Sequence, residues 1–342
     1  MIRKKRGGSL TLQQRGRIAT TEQKRSGTLA VHGDALLKCL GREAFAAEEE
    51  GLVIAHYGLN VEVEDAAGDR FRCAVRKSTT GEPVCGDRVV WMRAPNNQGI
   101  INRIHPRLSL LQRPLSAQRL QVIAANVQRF FIVFVATDPN IGLLDRYLVA
   151  AGVANIEAVI VVNKMDLVAD RLALQEAFAH YERMGYRLLF TSTLDGSGLE
   201  GLADALAGRI SVFVGESGTG KSSLISQWVS AESLKIGRVN RESGKGRHTT
   251  TVTSLYHLPN GGSLIDSPGI REFGLHGVEA SQVGRYFPDI APWMGQCRFS
   301  DCQHGGEPEC AVQGAVQTGQ VHPGRVESLR QIQQTLRQEK LF

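Results

Sequence analysis

Gly215-Glu216-Ser217-Gly218-Thr219-Gly220-Lys221-Ser222, with Ser223 behind it, is the stretch on which the reading of this chain turns. Glycines at either end of a four-residue gap, then lysine and a hydroxyl residue, make the phosphate-loop pattern. Context turns that pattern into a site. The apolar run 210–214 predicts a buried strand ahead of the loop, and residues 222–229 have helical character behind it. Backbone N–H groups of such a loop and of the helix start favour a polyphosphate. Lys221 is thereby placed on the β and γ phosphates and Ser222 on a Mg²⁺ ion.

Outward from the loop, a second apolar run, 157–162, ends in Asn163-Lys164-Met165-Asp166. The Asp166 carboxylate can accept from the ring N–H and the exocyclic amine of guanine together. Adenine lacks that donor pair, so the wrong base would leave a buried charge unpaired. Asn163 is expected at another base edge, and Lys164 over the loop and base. Thr191-Ser192-Thr193 follows the strand expected at 186–190, and Ser192 offers its backbone and hydroxyl to the base. Asp266-Ser267-Pro268-Gly269 closes a strand at 263–265. Asp266 can hold Mg²⁺ through water, and the Gly269 N–H can sense the γ-phosphate. Between them, Gly246-Arg247-His248-Thr249-Thr250-Thr251 offers Thr249 or Thr250 to complete the metal's coordination.

The order of these pieces is unusual. GTPases ordinarily run phosphate loop, switch threonine, Asp-x-x-Gly, Asn-Lys-x-Asp and then the last base loop. Here the final two come first. A circular permutation explains this, because it keeps the packed sheet while moving the chain ends. It also joins the nucleotide-sensing segment after Asp266 directly to whatever follows it in the chain.

Residues 113–280 are therefore expected to form the permuted α/β domain, with a further buried strand at 129–136 and helices at 172–184 and 199–207. Before it, residues 35–112 carry five short strand patterns (51–57, 60–64, 71–76, 87–93 and 99–104) separated by Gly- and Pro-containing breaks. That pattern predicts a small OB-like β-barrel. Arg70, Arg72, Arg76, Lys77, Arg88 and Arg93 give the barrel charge suited to single-stranded nucleic acid. Residues 1–34 form a basic arm with little apolar content, expected to be disordered when free and to contact nucleic acid.

Residues 281–342 carry Cys297-x₄-Cys302-x-His304-x₅-Cys310, a local set of three thiolates and one imidazole suited to structural Zn²⁺. Behind it, Pro323 marks a helix start, and Val326, Leu329, Ile332 and Leu336 make a core-facing stripe. The expected architecture is multidomain: an OB-like barrel, a permuted phosphate-loop α/β domain and a mostly helical zinc-binding domain. Cys39, Cys73 and Cys85 are expected to be ordinary buried thiols.

Composition narrows the class of protein. The chain has 342 residues, 42% hydrophobic and 22% charged, so it has ample material for a packed core. Forty Lys and Arg against 34 Asp and Glu give a net charge of +6, which favours an acidic partner such as nucleic acid. No apolar run approaches the ~18 residues of a membrane span, and six cysteines are too few for a disulfide scaffold. A cytoplasmic, soluble protein is expected, with no membrane partner.

The permuted motif order together with the zinc quartet resembles the RsgA (YjeQ) family of circularly permuted GTPases, over essentially the whole chain. The resemblance implies a late role in maturing the small ribosomal subunit, contact with its rRNA and GTP hydrolysis stimulated by the subunit. A monomer cycling between GTP and GDP with Mg²⁺ is expected. Ile270 stands where many GTPases place a water-orienting glutamine, and isoleucine cannot serve that role. His248, beside the switch threonines, is the expected substitute, able to accept a proton from the attacking water or orient it. Other readings are a nucleotide-gated RNA-binding assembly module with incidental hydrolysis and a large-subunit assembly GTPase. A phosphate-loop kinase is a third, against which Asn163–Asp166 argues.

Overall fold

Short runs of β-branched and aromatic residues build five strands in the first unit: β1 (Glu48–Tyr57), β2 (Asn60–Glu64), β3 (Arg70–Val75), β4 (Arg88–Ala94) and β5 (Gln98–Ile104), after a short helix α1 (residues 34–39). The computed structural model describes residues 34–39, 41–57, 60–116, 119–229, 253–266, 275 and 277–339. The basic arm lies outside these, as do the switch segment with His248, Thr249 and Thr250, and the stretch with Gly269 and Ile270.

The five strands close on themselves. β1 pairs antiparallel with β2 and with β4, β2 with β3, β4 with β5, and β3 runs parallel to β5. Closure satisfies every strand edge, as the expected OB-like barrel requires. A register shift between Val53 and Ala55 bends β1 so that it can serve two neighbours. Val53, Val61, Val63, Val89, Ile101 and the fully buried Trp91 fill the interior. Trp91 packs 4.8 Å from the Phe71 ring.

Part of the basic charge of this unit is paired within it. Arg93 is paired with Glu49 and, at 2.5 Å, with Asp65, and Arg70 lies 3.7 Å from Glu64. Arg70, Arg72, Lys77 and Arg88 are exposed and keep their charge at the surface, whereas Arg93 is partly buried. One expectation needs correction: Cys39 is exposed rather than buried, because it sits on the solvated short helix α1; Cys73 and Cys85 are buried as expected. Burial pushes the thiol pKa of both well up.

The second unit begins at Arg107. The residue expected to end the barrel, 112, falls inside β6 (Leu110–Ser116), which forms a hairpin with β7 (Arg119–Ala125) that the strand patterns did not reveal. The α/β sheet follows. Its elements are β8 (Arg129–Val135), α2 (Ile141–Val153), β9 (Glu157–Asn163), α3 (Arg171–Arg183), β10 (Arg187–Thr191), α4 (Leu199–Leu206), β11 (Ile210–Val214), α5 (Lys221–Ile225), β12 (Thr253–His257) and β13 (Ser263–Asp266). The order across the sheet is β10-β9-β8-β11-β13-β12, parallel except for β12. β8 reads Arg-Phe-Phe-Ile-Val-Phe-Val with all five inner residues buried, as a strand covered on both faces must. Phe131, Val161, Leu202, Phe213, Leu224 and Leu264 form the core on one face.

Two 3₁₀ turns, Ala280–Tyr286 and Ala291–Trp293, lead to α6 (Ala311–Gln317) and α7 (Pro323–Glu339). Proline does open α7, and Val326, Leu329, Ile332 and Leu336 are all buried. They pack with Val283, Phe287 and Ile290, and also with Val149 and Ala150 of α2. The C-terminal module thus shares one core with α2, the sheet's first helix. A buried ionic cluster joins the same elements. Arg325 donates to Asp145 of α2 and, at 3.1 and 3.3 Å, to both carboxylate oxygens of Asp289. Its guanidinium lies 4.3 Å over the Phe287 ring, and the Tyr181 hydroxyl donates to Asp145 at 2.7 Å.

Candidate functional site

The parallel sheet brings the scattered motifs together. Asn163–Asp166 leaves the C-terminal end of β9, Thr191–Thr193 that of β10, the phosphate loop that of β11, and Asp266 ends β13. Ligands of open α/β sheets bind in the crevice at these strand ends.

The loop's shape depends on its glycines. At Gly215 (φ +136°) a Cβ would stand 2.1 Å from the Val133 carbonyl oxygen, and at Gly220 (φ +92°) 2.3 Å from the Asn163 amide nitrogen. Neither position tolerates a side chain, so backbone amides line the loop directly. Lys221 folds across it: Nζ donates to the carbonyls of Gly215, at 2.8 Å, and Glu216, and to Thr219 Oγ1 at 3.2 Å. Glu216, Ser217 and Gly218 are exposed, as are Ser222 and Ser223 at the start of α5.

Asn163 is buried and hydrogen-bonded within the chain. Its Nδ2 donates to the Thr219 carbonyl at 2.9 Å, and its Oδ1 accepts from Thr191 Oγ1 at 3.0 Å. Both amide groups are used, so the residue braces the phosphate loop against the end of β10. Ser192 is likewise fully buried and engaged. Its Oγ donates to Asp166 Oδ1 at 2.6 Å and accepts from the N–H groups of Leu194 and Asp195 at 3.1 and 3.3 Å. Ser192 therefore aims the Asp166 carboxylate. Lys164 adopts a left-handed conformation (φ +64°), which turns the chain sharply between Asn163 and the Met165–Asp166 turn.

One residue of this region carried no sequence signal. Asn140, just after β8, caps α2 by accepting from the Leu143 N–H at 3.1 Å, and its Nδ2 reaches Glu216 of the phosphate loop at 3.3 Å. β8 lies between β9 and β11, so its trailing loop stands between the Asn163–Asp166 segment and the 215–222 loop. An Asn before a helix reads in sequence only as a cap. The ionic cluster of Arg325, Asp145, Asp289 and Tyr181 was equally silent, since its members are far apart in the chain.

The zinc-type quartet assembles. Cys297 and Cys302 Sγ each lie 3.6 Å from His304 Nδ1, Cys310 Sγ lies 3.4 Å from it, and the Cys297 and Cys310 sulfurs are 3.8 Å apart. All four donor atoms fall within 4.8 Å of one another. A tetrahedron with Zn–S of about 2.3 Å and Zn–N of about 2.0–2.1 Å has edges of about 3.8 and 3.6 Å, so the donors fit this ion. Burial pushes the Cys302 thiol up to about 12, a proton that a bound cation would displace. Glu307 braces the loop by accepting from the N–H groups of Gln303 (3.0 Å) and Gly305 (2.6 Å), and backbone hydrogen bonds hold its carboxyl down to about 2.

Residues 104–276 match the family model described as RsgA GTPase. The chain belongs to the RsgA GTPase family. It is 41% identical, over 339 residues and 97% of both chains, to the small ribosomal subunit biogenesis GTPase RsgA of Hahella chejuensis. Its identity to the protein of that name from Chromohalobacter salexigens is 45% over 294 residues, covering 84% of this chain and 86% of that one. The crystal structure of YjeQ from Thermotoga maritima superposes with a TM-score of 0.66 and 30% identity, covering 85% of this chain and 99% of that one. YloQ, described as a circularly permuted GTPase, gives 0.66 and 28%, covering 85% and 96%. This RsgA-family chain is a GTPase with a guanine-nucleotide site, and the permuted order read from its motifs is the order of its strands.

Proposed function

We propose that this chain hydrolyses GTP as a late maturation factor of the small ribosomal subunit, binding its rRNA and being stimulated by it. The observation that carries this reading is the convergence of four guanine-nucleotide motifs on the C-terminal strand ends of one sheet, in a chain whose relatives are named for biogenesis of that subunit. GTP·Mg²⁺ would lie between the phosphate loop and Asn163–Asp166. Lys221 and the loop amides neutralise the phosphates, while Ser222, Asp266 and a switch threonine, Thr249 or Thr250, hold the metal. The Gly269 N–H senses the γ-phosphate, and His248 positions the attacking water in place of the glutamine that Ile270 displaces.

Zn²⁺ on Cys297, Cys302, His304 and Cys310 would hold the C-terminal module together. The basic arm and the exposed Arg72, Lys77 and Arg88 supply charge for rRNA phosphates. The factor acts as a monomer in the cytoplasm. Among the described residues, no helix is long and apolar enough to cross a membrane. Co-sedimentation with separated subunits tests the partner. Pelleting with the small subunit when GTP is bound, and not with the large one, is the expected result; large-subunit preference would overturn it.

A further inference from the structure

A cleft of about 590 Å³ opens at the seam between α3 and the C-terminal module, away from the nucleotide loops. That volume lies inside the range of sites for small organic ligands. Its floor is a stacked ring pair: the His180 and His322 rings are 4.7 Å apart and 13° from parallel, and the Tyr181 ring lies 4.2 Å from His180, tilted 41° to it. His322 is exposed, so the stack ends in an open imidazole face. Arg183 borders the same space. Among the described residues its one hydrogen bond runs from Nε to the Ala179 carbonyl at 3.5 Å. Gln320 adds an exposed amide to the rim, and Pro288 and Val321 give apolar walls. Asp289 also lines the cleft, but both its carboxylate oxygens are bound by Arg325. The cleft thus offers a flat π surface, an uncommitted cation and an amide, with its carboxylate already neutralised.

We propose that this cleft takes one unpaired nucleotide of an RNA strand, its base stacked on the His180–His322 pair and its phosphate paired with Arg183. Proteins read RNA mainly at unpaired nucleotides, which they stack on aromatic or histidine side chains and read at the base edge. An acidic peptide would find the cation but leave the ring face without a planar partner. Burial pushes the His180 pKa down to about 4, with the His322 ring beside it adding to the effect, so the lower ring of the stack is uncharged at neutral pH. A nucleotide seated here touches α3, which follows the base-reading Asp166, and the C-terminal module at once. Partner binding would thereby fix the seam between the two.

This inference rests on reading the small ribosomal subunit as the partner. Its test uses the full chain and purified small subunits. His322 Nδ1 also accepts from the Gly324 N–H at 3.2 Å at the start of α7. His322→Asn keeps an acceptor there while removing the ring, and His322→Tyr keeps a ring. His322→Asn and Arg183→Ala should each weaken subunit binding, the former by roughly five- to a hundredfold, the range of one base stack. His322→Tyr should bind within a few-fold of the parent, and all three should retain metal content and subunit-free GTP hydrolysis. A photo-crosslinker at position 320 should label rRNA at a single unpaired nucleotide. Binding unchanged in His322→Asn, or a crosslink to a ribosomal protein, would overturn the proposal. If the parent chain itself ignores the small subunit, the functional reading fails first and the cleft's assignment falls with it.

Discussion

The side-chain amide of Asn163 donates to the main-chain carbonyl of Thr219 at 2.9 Å, tying the strand that leads to Asp166 to the 215–222 loop. Its other half accepts from Thr191, so one buried residue fixes three segments. Removing it leaves a buried carbonyl and hydroxyl without their partner, at about 1–3 kcal/mol. Asn163→Ala should therefore lower GTP and GDP affinity together, by roughly five- to a hundredfold, with no change in base preference. Titration with fluorescent nucleotides checks this, and a loss confined to GTP would contradict the bracing role.

Asp166 acts on the other side of that brace. Held by Ser192 at 2.6 Å, its carboxylate is aimed before nucleotide arrives. Asp166→Asn should weaken GTP and favour xanthosine triphosphate, whose base carries a carbonyl where guanine has an amine. Ser192→Ala should weaken GTP less and leave the preference for guanine intact. Competition between the two nucleotides measures both effects.

How much of this could be read from sequence differs between residues. Gly215, Gly220 and Lys221 are legible because a phosphate loop constrains residue type at fixed spacing; the strand ahead of it forms as expected, and the helix behind it, Lys221–Ile225, is shorter than the expected 222–229. Asp166 is legible for the same reason, and the Cys297–Cys310 donors converge because their spacing is local. Asn163 and Ser192 are legible as site residues, but their partners within the protein are not. Their hydrogen bonds run to segments 56 and 26 residues away, and only the packed sheet sets those pairings. Arg325 and Asp145, 180 residues apart, gave no signal at all. The β6–β7 hairpin was missed because Pro114 and two register shifts interrupt its alternation.

The Arg325 cluster makes a stability prediction. Arg325 and Asp145 are 1% and 0% exposed, so removing either leaves a buried charge without its partner. Arg325→Met should destabilise the second unit by about 3–5 kcal/mol, and pairing it with Asp145→Leu should recover part of that loss. Urea unfolding of the four proteins in the cycle gives the coupling. Additive losses would show that the ion pair does not clamp the module to α2.

The metal makes another. Cys302→Ser should abolish stoichiometric zinc and expose the segment around 297–310 to protease, because its short, Gly-containing loop buries little apolar surface of its own. Metal analysis of freshly purified protein followed by limited proteolysis reads both. A parent protein free of zinc, or a variant as resistant as the parent, would remove the metal's structural role.

The central claim is that this chain hydrolyses GTP on the small ribosomal subunit, with His248 placing the water. It is tested most directly by steady-state GTP turnover of the parent chain and His248→Ala, alone and with purified small or large subunits. The account predicts strong stimulation of the parent by the small subunit only. The variant should bind nucleotide and subunit normally yet lose roughly 10²–10⁴ of the stimulated rate, the span of a general acid–base group. Equal turnover with and without small subunits, or a variant that keeps the parent's stimulated rate, would contradict it.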